Sequence, residues 1–366
     1  MDFHFSEEQT TLRELAREIL GKELDLERLK EVEAEGDWFD RELWAKLAEA
    51  NLLGLAVPEA QGDMEMGFLE LCVLLQELGR AVAPLPAFPT LVYGGLAIAR
   101  FGSDAQQQRW LAPLASGEVV LTGAFEPGEV AAAQRSGEGW RLDGVFRNVP
   151  AVHLAKRILL PAETKEGEAV FLVDPEAQGV SLVRQATSRK EPVFEVSLAG
   201  VGASDDDVLR AEGITAWITE RACVALAALQ SGVSERALEI TTAYVKEREQ
   251  FGAPLGALPA VQHRCANAYI DLDAMRWVMW SAAWKLATER PARRDAWIAK
   301  FWAADAGSRI ATATQHLHGG MGVDLDYPIH RYFLWTKTLE LALGAATPQL
   351  VKLGRDMALS GPQELA

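Results

Sequence analysis

Cysteine is scarce in this chain of 366 residues, and basic residues are outnumbered by acidic ones. Cys72, Cys223 and Cys265 lie far apart without paired spacing, which argues against a disulfide framework and against a cysteine-based zinc site. Lys and Arg number 36 against 52 Asp and Glu, a formal net charge of −16. A nucleic acid would have to bind against that field, so we expect no nucleic-acid partner.

Long hydrophobic runs are also missing, since no apolar stretch approaches the ~18 residues of a membrane-spanning helix. Residues 1–9 are polar and acidic, whereas a signal peptide begins basic and continues apolar. We therefore expect a cytoplasmic protein that is neither exported nor bound to a membrane. The apolar share of 49% is usual for globular proteins, and the length suffices for two or three domains.

The texture of the sequence divides the chain into three parts. Apolar residues recur at helical spacing over residues 1–117. Short β-prone runs separated by Gly, Asp and Pro fill residues 118–213, as in an antiparallel sheet or barrel. Long amphipathic segments return over residues 214–366. We predict a mainly α protein with a central β-domain: an N-terminal helical domain, a β-barrel and a C-terminal four-helix bundle.

Two helix starts carry a specific signal. Ser6 precedes Gln9, and Ser103 precedes Gln106, by three residues. In a capping box the serine side chain accepts a backbone N–H and the glutamine side chain returns the bond. The spacing therefore predicts helices that begin just after Ser6 and Ser103.

Several chemically suggestive residues of the C-terminal part have simple structural explanations. Trp277, Trp280 and Trp284 fall on one helix face, as a bundle core requires, and we predict that they are buried. His316 and His318 are two residues apart and do not share a helix face, and no third ligand is placed nearby. We therefore predict no metal site.

Two groups of carboxylates also need no function. Asp271 and Asp273 fit an exposed helix face, and the run Asp205–Asp207 fits a loop between strands. We predict that these side chains are solvated.

Two segments are less easily explained by structure alone. One contains Arg248, Gln250, Phe251 and Gly252 at a helix end, with Gln262 opening the next helix about ten residues later. An arginine there is most often only a partner of the helix dipole. The other segment reads His-Leu-His-Gly-Gly-Met-Gly over residues 316–322. Adjacent glycines let a backbone approach a ligand and expose N–H groups to phosphate, although they also serve plain turns.

Together these segments resemble the acyl-CoA dehydrogenase family, which has an Arg-x-x-Phe-Gly-x-Pro-Leu motif, a Gln near the next helix start and a Gly-Gly-x-Gly segment. Residues 101–106 and 111–118 resemble the end of that family's first domain, and Glu126-Pro127 resembles its Thr-Glu-Pro. The resemblance covers nearly the whole chain. It implies the same order of helical domain, β-barrel and four-helix bundle that the sequence texture predicts.

The resemblance also implies a cofactor, because in that family FAD lies at a dimer interface and these segments reach the neighbour's FAD. Arg248 then pairs with the pyrophosphate, and Gln250, Phe251 and Leu258 line the adenosine channel with Gln262 nearby. The family usually has Gln where this chain has His316. The implied cofactor-binding set is Arg248, Gln250, Phe251, Leu258, Gln262, His316, Leu317, His318, Gly319 and Gly320.

The flavin-ring half of the implied site departs from the family. Where the family continues Gly-x-Gly-Ser-Asp, this chain reads Gly-Glu-Val-Ala-Ala-Ala-Gln over residues 128–134. The family's Ile-Thr-Asn-Gly is replaced in Asn-Val-Pro-Ala-Val-His over residues 148–153. We therefore expect that this subunit cannot hold an isoalloxazine ring by itself.

The catalytic base is missing as well. The family removes the α-proton of an acyl-CoA with a Glu carboxylate, and alignment places Ala345 at the usual position of that Glu. A second branch of the family carries the Glu on the first bundle helix, where this chain has Ala222. Glu220 is two residues away, on the opposite helix face. We predict no catalytic residue in this chain, with Glu220 as the remaining alternative.

This pattern resembles the non-catalytic subunit of heteromeric, α2β2, steroid-type acyl-CoA dehydrogenases. It implies FAD shared with a catalytic acyl-CoA dehydrogenase subunit, a bulky acyl-CoA bound mainly by that partner, and electron-transfer flavoprotein or a similar acceptor. Two alternatives stay open. One is a flavin-free homologue that binds acyl-CoA or has a structural role. The other is a non-redox enzyme of the hydratase or lyase type on the same fold.

Overall fold

A computed structural model describes residues 5–55, 57 and 66–360 of the chain. Two compact units are present. The first comprises the described residues up to Leu71 together with Pro84–Ala222, and the second comprises Cys72–Ala83 and the described residues from Cys223 onward. The three-part division at 117 and 213 follows secondary-structure type and stays a prediction. Its outer limits, residues 1 and 366, lie outside the described residues.

The N-terminal part is helical, and both predicted capping boxes are confirmed. The hydroxyl of Ser6 accepts the Gln9 backbone N–H at 3.2 Å, while the Gln9 side chain accepts the Ser6 N–H at 3.1 Å. Ser103 and Gln106 make the same pair of bonds. The helices here are α1 (Glu7–Glu23), α2 (Leu26–Glu35), α3 (Arg41–Glu49), α4 (Phe68–Arg80), a π-helical segment (Pro89–Leu96), α5 (Ala97–Phe101) and α6 (Asp104–Ala115).

The middle of the chain folds into one sheet, which confirms the predicted central β-domain. The strands are β1 (Leu121–Gly123), β2 (Ala131–Ser136), β3 (Gly139–Pro150), β4 (Arg157–Thr164), β5 (Gly167–Val173), β6 (Val180–Gln185), β7 (Val193–Ala203) and β8 (Val208–Leu209). Their order across the sheet is β6-β7-β3-β2-β4-β5-β8, and β1 pairs with β4. Parallel pairing joins β4 to β1 and to β2, and the other neighbours are antiparallel.

Aromatic rings fill the core of this sheet. Phe146 and Phe171 are fully buried, and Trp140 packs edge-to-face on Phe171 with ring centroids 5.5 Å apart. Full burial of such a side chain contributes ~1.5–3 kcal/mol. The predicted β-prone runs therefore form the hydrophobic interior of the domain.

Asp205 follows β7 and is exposed, as predicted, but its carboxylate also has specific partners. Its carboxylate accepts hydrogen bonds from Arg135 at 2.7 Å, from the Trp140 indole N–H at 2.8 Å and from Arg210 at 2.7 Å. These donors, Arg135 first, lower the pKa of Asp205 far below its ordinary value. Asp205 therefore anchors two arginines whose guanidinium groups lie over the Trp140 ring, at 4.0 Å and 5.3 Å from its centre.

After Gly213 the chain is again helical. The helices are α7 (Ile214–Glu247), α8 (Pro259–Ala287), α9 (Arg293–His318), α10 (Ile329–Leu341) and α11 (Ala346–Ser360), with a hairpin of β9 (Glu249–Gln250) and β10 (Ala253–Pro254) between α7 and α8. The helical C-terminal domain is confirmed. Within the described residues five helices occur where four were predicted, because the last part is divided into α10 and α11. None of the described helices combines the length and apolar character needed to cross a bilayer.

Helix α9 is central to the second compact unit, where α8, α10 and α11 all pack against it. The part of α4 that belongs to this unit crosses α7 closely. A Cβ at Gly232 would collide with the backbone carbonyl of Gln76, and a Cβ at Gly79 would collide with that of Leu229. The two glycines therefore permit backbone contact between these helices.

The outer face of α8 departs from prediction. Trp277 is 51% exposed, so its assignment to a buried core is wrong, and its indole N–H donates to Asp273 at 3.3 Å. Asp271 is bound bidentately by Arg309 from α9, with both distances 2.8 Å. Trp280 and Trp284 are half-buried, and the buried face of α8 carries Leu272, Met275 and Met279 instead.

Candidate functional site

A short hairpin fixes the backbone around Arg248. The Arg248 N–H donates to the carbonyl of Tyr244 at 2.8 Å, and its own carbonyl accepts from the Leu255 N–H at 2.8 Å. Strands β9 and β10 pair in between. The guanidinium thus extends from a backbone held on both sides, and the Arg248 residue is exposed.

The tip of this hairpin is strained. Phe251 and Gly252 form the two-residue turn with φ of 57° and 79°, the positive values that a type I′ hairpin requires. Glycine adopts this region freely, whereas a bulky residue there costs ~1–2 kcal/mol. Phe251 is nevertheless 89% exposed. No burial within the described chain offsets the strain, which is typical of a residue shaped for contact with another molecule.

The other polar residues of the segment stabilise local backbone. The Gln262 side-chain amide donates to the Gly256 carbonyl at 2.9 Å, and that of Gln250 donates to the Glu249 carbonyl at 2.9 Å. Leu258 is half-buried at the start of α8. Gln262 therefore shapes the loop that precedes α8, a role that the sequence pattern did not indicate.

The end of α9 presents open backbone. Gly319 has φ of 57° and ψ of −132°, a conformation that only glycine adopts without strain. A Cβ at Gly319 or at Gly320 would meet no atom within 4 Å. His316 and both glycines are exposed, and Leu317 is half-buried. This surface can be approached closely by a ligand.

His318 differs from its neighbours because it is only 2% exposed. Its Nδ1 lies 2.8 Å from the carbonyl oxygen of Thr314. The ring stacks on Tyr244 with centroids 4.4 Å apart and contacts Tyr327 at 5.2 Å. Burial lowers the pKa of His318, partly offset by the Thr314 carbonyl. The ring therefore connects the ends of two helices. Helix α7 continues into Arg248, and helix α9 continues into Gly319 and Gly320.

The segment implied for the flavin ring lies in the other compact unit, on β3. Pairing of β3 with β7 shifts between Phe146 and Val149, a β-bulge that contains Arg147 and Asn148. The backbone N–H of Arg147 donates to the Glu129 carboxylate at 2.7 Å, and its guanidinium donates to the same carboxylate at 3.3 Å. The N–H of Arg147 is therefore already bonded within the chain and cannot donate to a ligand at the same time.

Pro150 completes that segment without a hydroxyl group. Its carbonyl accepts from the Thr122 hydroxyl at 2.6 Å, and the following Ala151 has a φ of 53°. A pocket for a flavin ring needs unsatisfied donors aimed at its polar edge. The Arg147 N–H and the Pro150 carbonyl are already bonded within the chain, and proline offers neither an N–H nor a hydroxyl group, which does not suit the polar edge of that ring.

The two positions implied for a catalytic carboxylate carry only methyl groups. Ala222 is fully buried on α7. Ala345 is half-buried at the end of a turn in which Leu343 and Gly344 have φ of 56° and 93°. The Gln349 amide donates to the carbonyls of Leu343 at 2.8 Å and Gly344 at 3.0 Å. Gln349 thus stabilises this turn. Its role was not predicted from the sequence, although Gln349 lies only four residues after Ala345.

Glu220 is half-buried near the start of α7. The next residue, Arg221, is buried with its guanidinium 3.5 Å from the centre of the Trp217 ring. This cation–π pair was not predicted from the sequence. Its spacing of four residues along one helix was the available signal.

Comparisons with known proteins show which family the two helical parts of the chain match. The family description of the acyl-CoA dehydrogenase C-terminal domain matches residues 215–357, and that of the acyl-CoA dehydrogenase N-terminal domain matches residues 6–118. Acyl-CoA dehydrogenase FadE27 of Mycobacterium tuberculosis is 39% identical over 372 residues, covering 98% of this chain and 99% of the relative.

Two solved structures are similar over nearly the full length. A chain of the ChsE4-ChsE5 complex from Mycobacterium tuberculosis has a TM-score of 0.95 at 38% identity, covering 99% of this chain and 100% of that chain. A chain of a variant of the Tcur3481-Tcur3483 steroid ACAD has a TM-score of 0.91 at 42% identity, covering 96% of this chain and 98% of that chain. Both are assemblies of two different proteins.

Proposed function

Because the chain belongs to the acyl-CoA dehydrogenase family, we propose that it is the base-less subunit of a heteromeric enzyme and completes the FAD site of its partner. Homologues in this family bind FAD. In the proposed α2β2 assembly the cofactor lies at the interface between unlike subunits. The partner supplies the flavin-ring contacts, the catalytic carboxylate and most of the acyl-CoA contacts.

One observation carries the proposal. The chain has exposed residues suited to the anionic end of the cofactor, which we call the clamp: Arg248, Phe251, Gly319 and Gly320. The segment that corresponds to the flavin-ring end, by contrast, is bonded within the chain. Exposed Arg248 stands on a fixed backbone next to strained, exposed Phe251, and Gly319 and Gly320 leave space for close approach. In contrast, near the segment that corresponds to the flavin ring, the N–H of Arg147 already donates to the Glu129 carboxylate. A clamp without its own flavin pocket is useful only to a neighbouring subunit.

The residues of the clamp fit the anionic end of FAD. A guanidinium binds phosphate oxygens bidentately through charge-assisted hydrogen bonds. The open backbone at the end of α9 can bring N–H groups against the same group. Phe251 presents an apolar ring that an adenosine channel can cover. These residues bind and orient, and none of them transfers a proton.

The reaction itself divides between the subunits. Bound FAD supplies the hydride acceptor for α,β-dehydrogenation of the acyl-CoA. The α-proton needs a carboxylate within hydrogen-bond reach, and the methyl groups of Ala222 and Ala345 cannot provide it. The proton therefore passes to a carboxylate of the partner.

The substrate we propose is a bulky acyl-CoA, such as a steroid side-chain thioester. Support comes from the similarity to a steroid ACAD assembled from two proteins and to the two-protein ChsE4-ChsE5 complex. Electron-transfer flavoprotein, or a similar carrier, is the proposed acceptor of the electrons. The truncated side chains at Gly344 and Ala345 are consistent with a wide pocket.

The test is expression of the chain alone and together with the acyl-CoA dehydrogenase encoded next to it, followed by measurement of the FAD-to-protein ratio. We expect a colourless or poorly soluble product alone and one FAD per heterodimer together. Stoichiometric FAD in the isolated homo-oligomer contradicts the proposal. A flavin-free assembly that retains acyl-CoA supports the binding homologue, and turnover without flavin supports a hydratase or lyase.

A further inference from the structure

Three aromatic rings meet where α7 and α9 end. His318 lies against Tyr244 at 4.4 Å with an angle of 27° between the ring planes, and against Tyr327 at 5.2 Å with an angle of 50°. Tyr244 and Tyr327 are themselves 6.1 Å apart in an edge-on arrangement. We call these three rings the aromatic brace.

The brace connects the two halves of the clamp through very short stretches of chain. The Tyr244 carbonyl accepts the N–H of Arg248 at 2.8 Å, so the position of the tyrosine fixes the residue that leads into the hairpin. His318 directly precedes Gly319, whose conformation ends α9. Stacking of the two rings therefore sets the spacing between Arg248 and the open glycine backbone.

The nitrogen atoms of His318 indicate that the ring acts through its faces. A carbonyl oxygen can only accept, so Nδ1 carries the hydrogen toward Thr314. Nε2 is buried and has no hydrogen-bond partner among the described residues. A buried acceptor without a partner destabilises a fold. The ring contacts of His318 with Tyr244 and Tyr327 offset this cost.

From these observations we propose that His318 is a positioning residue that braces the clamp and does not itself bind the cofactor. The inference rests on the proposed function, since the clamp serves the partner's FAD. It assigns His318 a different role from the exposed residues His316, Gly319 and Gly320 nearby. The aromatic faces matter, and the imidazole nitrogens do not.

The test compares His318→Ala, which removes the ring, with His318→Phe, which keeps the ring and removes both nitrogens. Each variant is prepared as the complex with its partner, and the FAD dissociation constant is measured by equilibrium dialysis. We expect His318→Ala to weaken FAD binding about tenfold and His318→Phe to stay within about threefold of the unmodified complex. Equal loss in both variants overturns the brace, because it shows that a nitrogen acts directly.

A double variant separates bracing from general loss of stability. If His318 acts through Arg248, the His318→Ala change should have little further effect in an Arg248→Ala complex, whereas independent effects multiply. Multiplied effects overturn the inference. If Arg248→Ala weakens FAD binding and His318→Ala does not, the inference about His318 is overturned and the proposed role as partner subunit stands. If Arg248→Ala leaves FAD affinity unchanged, both proposals fail.

Hydrogen exchange gives a readout that needs no cofactor. In the FAD-free complex, His318→Ala should speed amide exchange at Arg248 and Leu255, whose N–H groups make the bonds that hold the hairpin. His318→Phe should leave these rates near those of the unmodified complex. Unchanged exchange in His318→Ala contradicts the brace even if FAD binding falls.

Discussion

The carboxylate of Glu129 accepts the backbone N–H of Arg147 at 2.7 Å and a guanidinium N–H of the same residue at 3.3 Å. Arg147 lies in a bulge of β3, where the ladder to β7 leaves its N–H without a strand partner. The segment is therefore closed by an acidic side chain of the same chain. The segment that the family resemblance implies for the flavin ring thus begins next to an N–H that is already bonded, and it has proline at position 150.

Removal of the Glu129 carboxylate should not create a second cofactor site. In the complex with Glu129→Ala we expect the ratio to stay at one FAD per heterodimer, because Pro150 offers no hydroxyl group. Flavin absorbance against protein concentration measures this ratio. Glu138→Ala, a change on the exposed turn between β2 and β3, is the control. A ratio of two would show that Glu129 alone excludes the cofactor.

Arg248 should contribute strongly to FAD affinity. Loss of a charge-assisted hydrogen bond costs about 1.5–3 kcal/mol, so Arg248→Ala should weaken FAD binding by the complex about 10- to 150-fold. Arg248→Lys keeps the charge but loses the bidentate geometry and should fall between. Equilibrium dialysis provides the measurement, and Arg355→Ala on α11 is a matched change of an exposed arginine. Unchanged affinity in Arg248→Ala argues against the clamp.

Turnover should depend on the partner's carboxylate and not on Glu220. General-base catalysis contributes about 10²- to 10⁴-fold, so replacement of the partner's catalytic Glu by Gln should nearly abolish acyl-CoA-dependent dye reduction. Glu220→Gln should leave the rate within about twofold. The opposite pattern, with FAD and assembly intact, would make this chain the catalytic one.

The buried imidazole should make stability depend on pH. Burial lowers the pKa of His318 below its ordinary 6.5, so the unfolded chain takes up a proton near that pH while the folded chain does not. Stability is therefore unaffected above about 6.5 and falls as the pH drops from there toward the folded pKa. Tyr244 and Tyr327 face the ring, burial raises the pKa of Tyr327, and the Glu247 carboxylate lies near Tyr327.

His318→Phe removes this dependence. Between pH 7.5 and pH 5.5 the variant should lose less unfolding free energy than the unmodified chain, as measured by urea denaturation of the FAD-free complex at both values. The comparison cancels carboxylates common to both proteins. Equal losses would mean that folding does not lower the pKa of His318.

Gly232 should tolerate no side chain. A Cβ there collides with the carbonyl of Gln76, and overpacking of this kind typically costs about 1–3 kcal/mol. We expect Gly232→Ala to lower the urea midpoint. Gly21→Ala is the matched control, because Gly21 lies in α1 with no atom within 4 Å of a built Cβ. Its replacement should be neutral or stabilising by about 0.5–1 kcal/mol.

Local signals in the sequence were reliable. The capping box of Ser6 and Gln9 depends on bonds between residues three apart, so the sequence alone contains all that is needed. The β-prone runs that became β4 and β5 are similarly local. The family resemblance then supplied the arrangement of the domains.

Contacts between distant elements could not be predicted in this way. Trp277 follows the helical period of a core residue but is half exposed, because periodicity identifies an apolar face and not its cover. The bonds from Arg309 to Asp271 and from Gln349 to Leu343 depend on how helices and turns meet. The positive φ of Phe251 was equally unforeseen, since the sequence places glycine only at the second turn position.

Gly320 has consequences for the evolution of this chain. Its φ is ordinary and a Cβ would meet nothing within 4 Å, so the fold of the chain does not demand glycine there. Alanine at this position should be invisible to a selection for expression or thermal resistance and visible only to a selection for the assembled enzyme. A scan of all substitutions under both selections would therefore map, residue by residue, the surface that another molecule constrains.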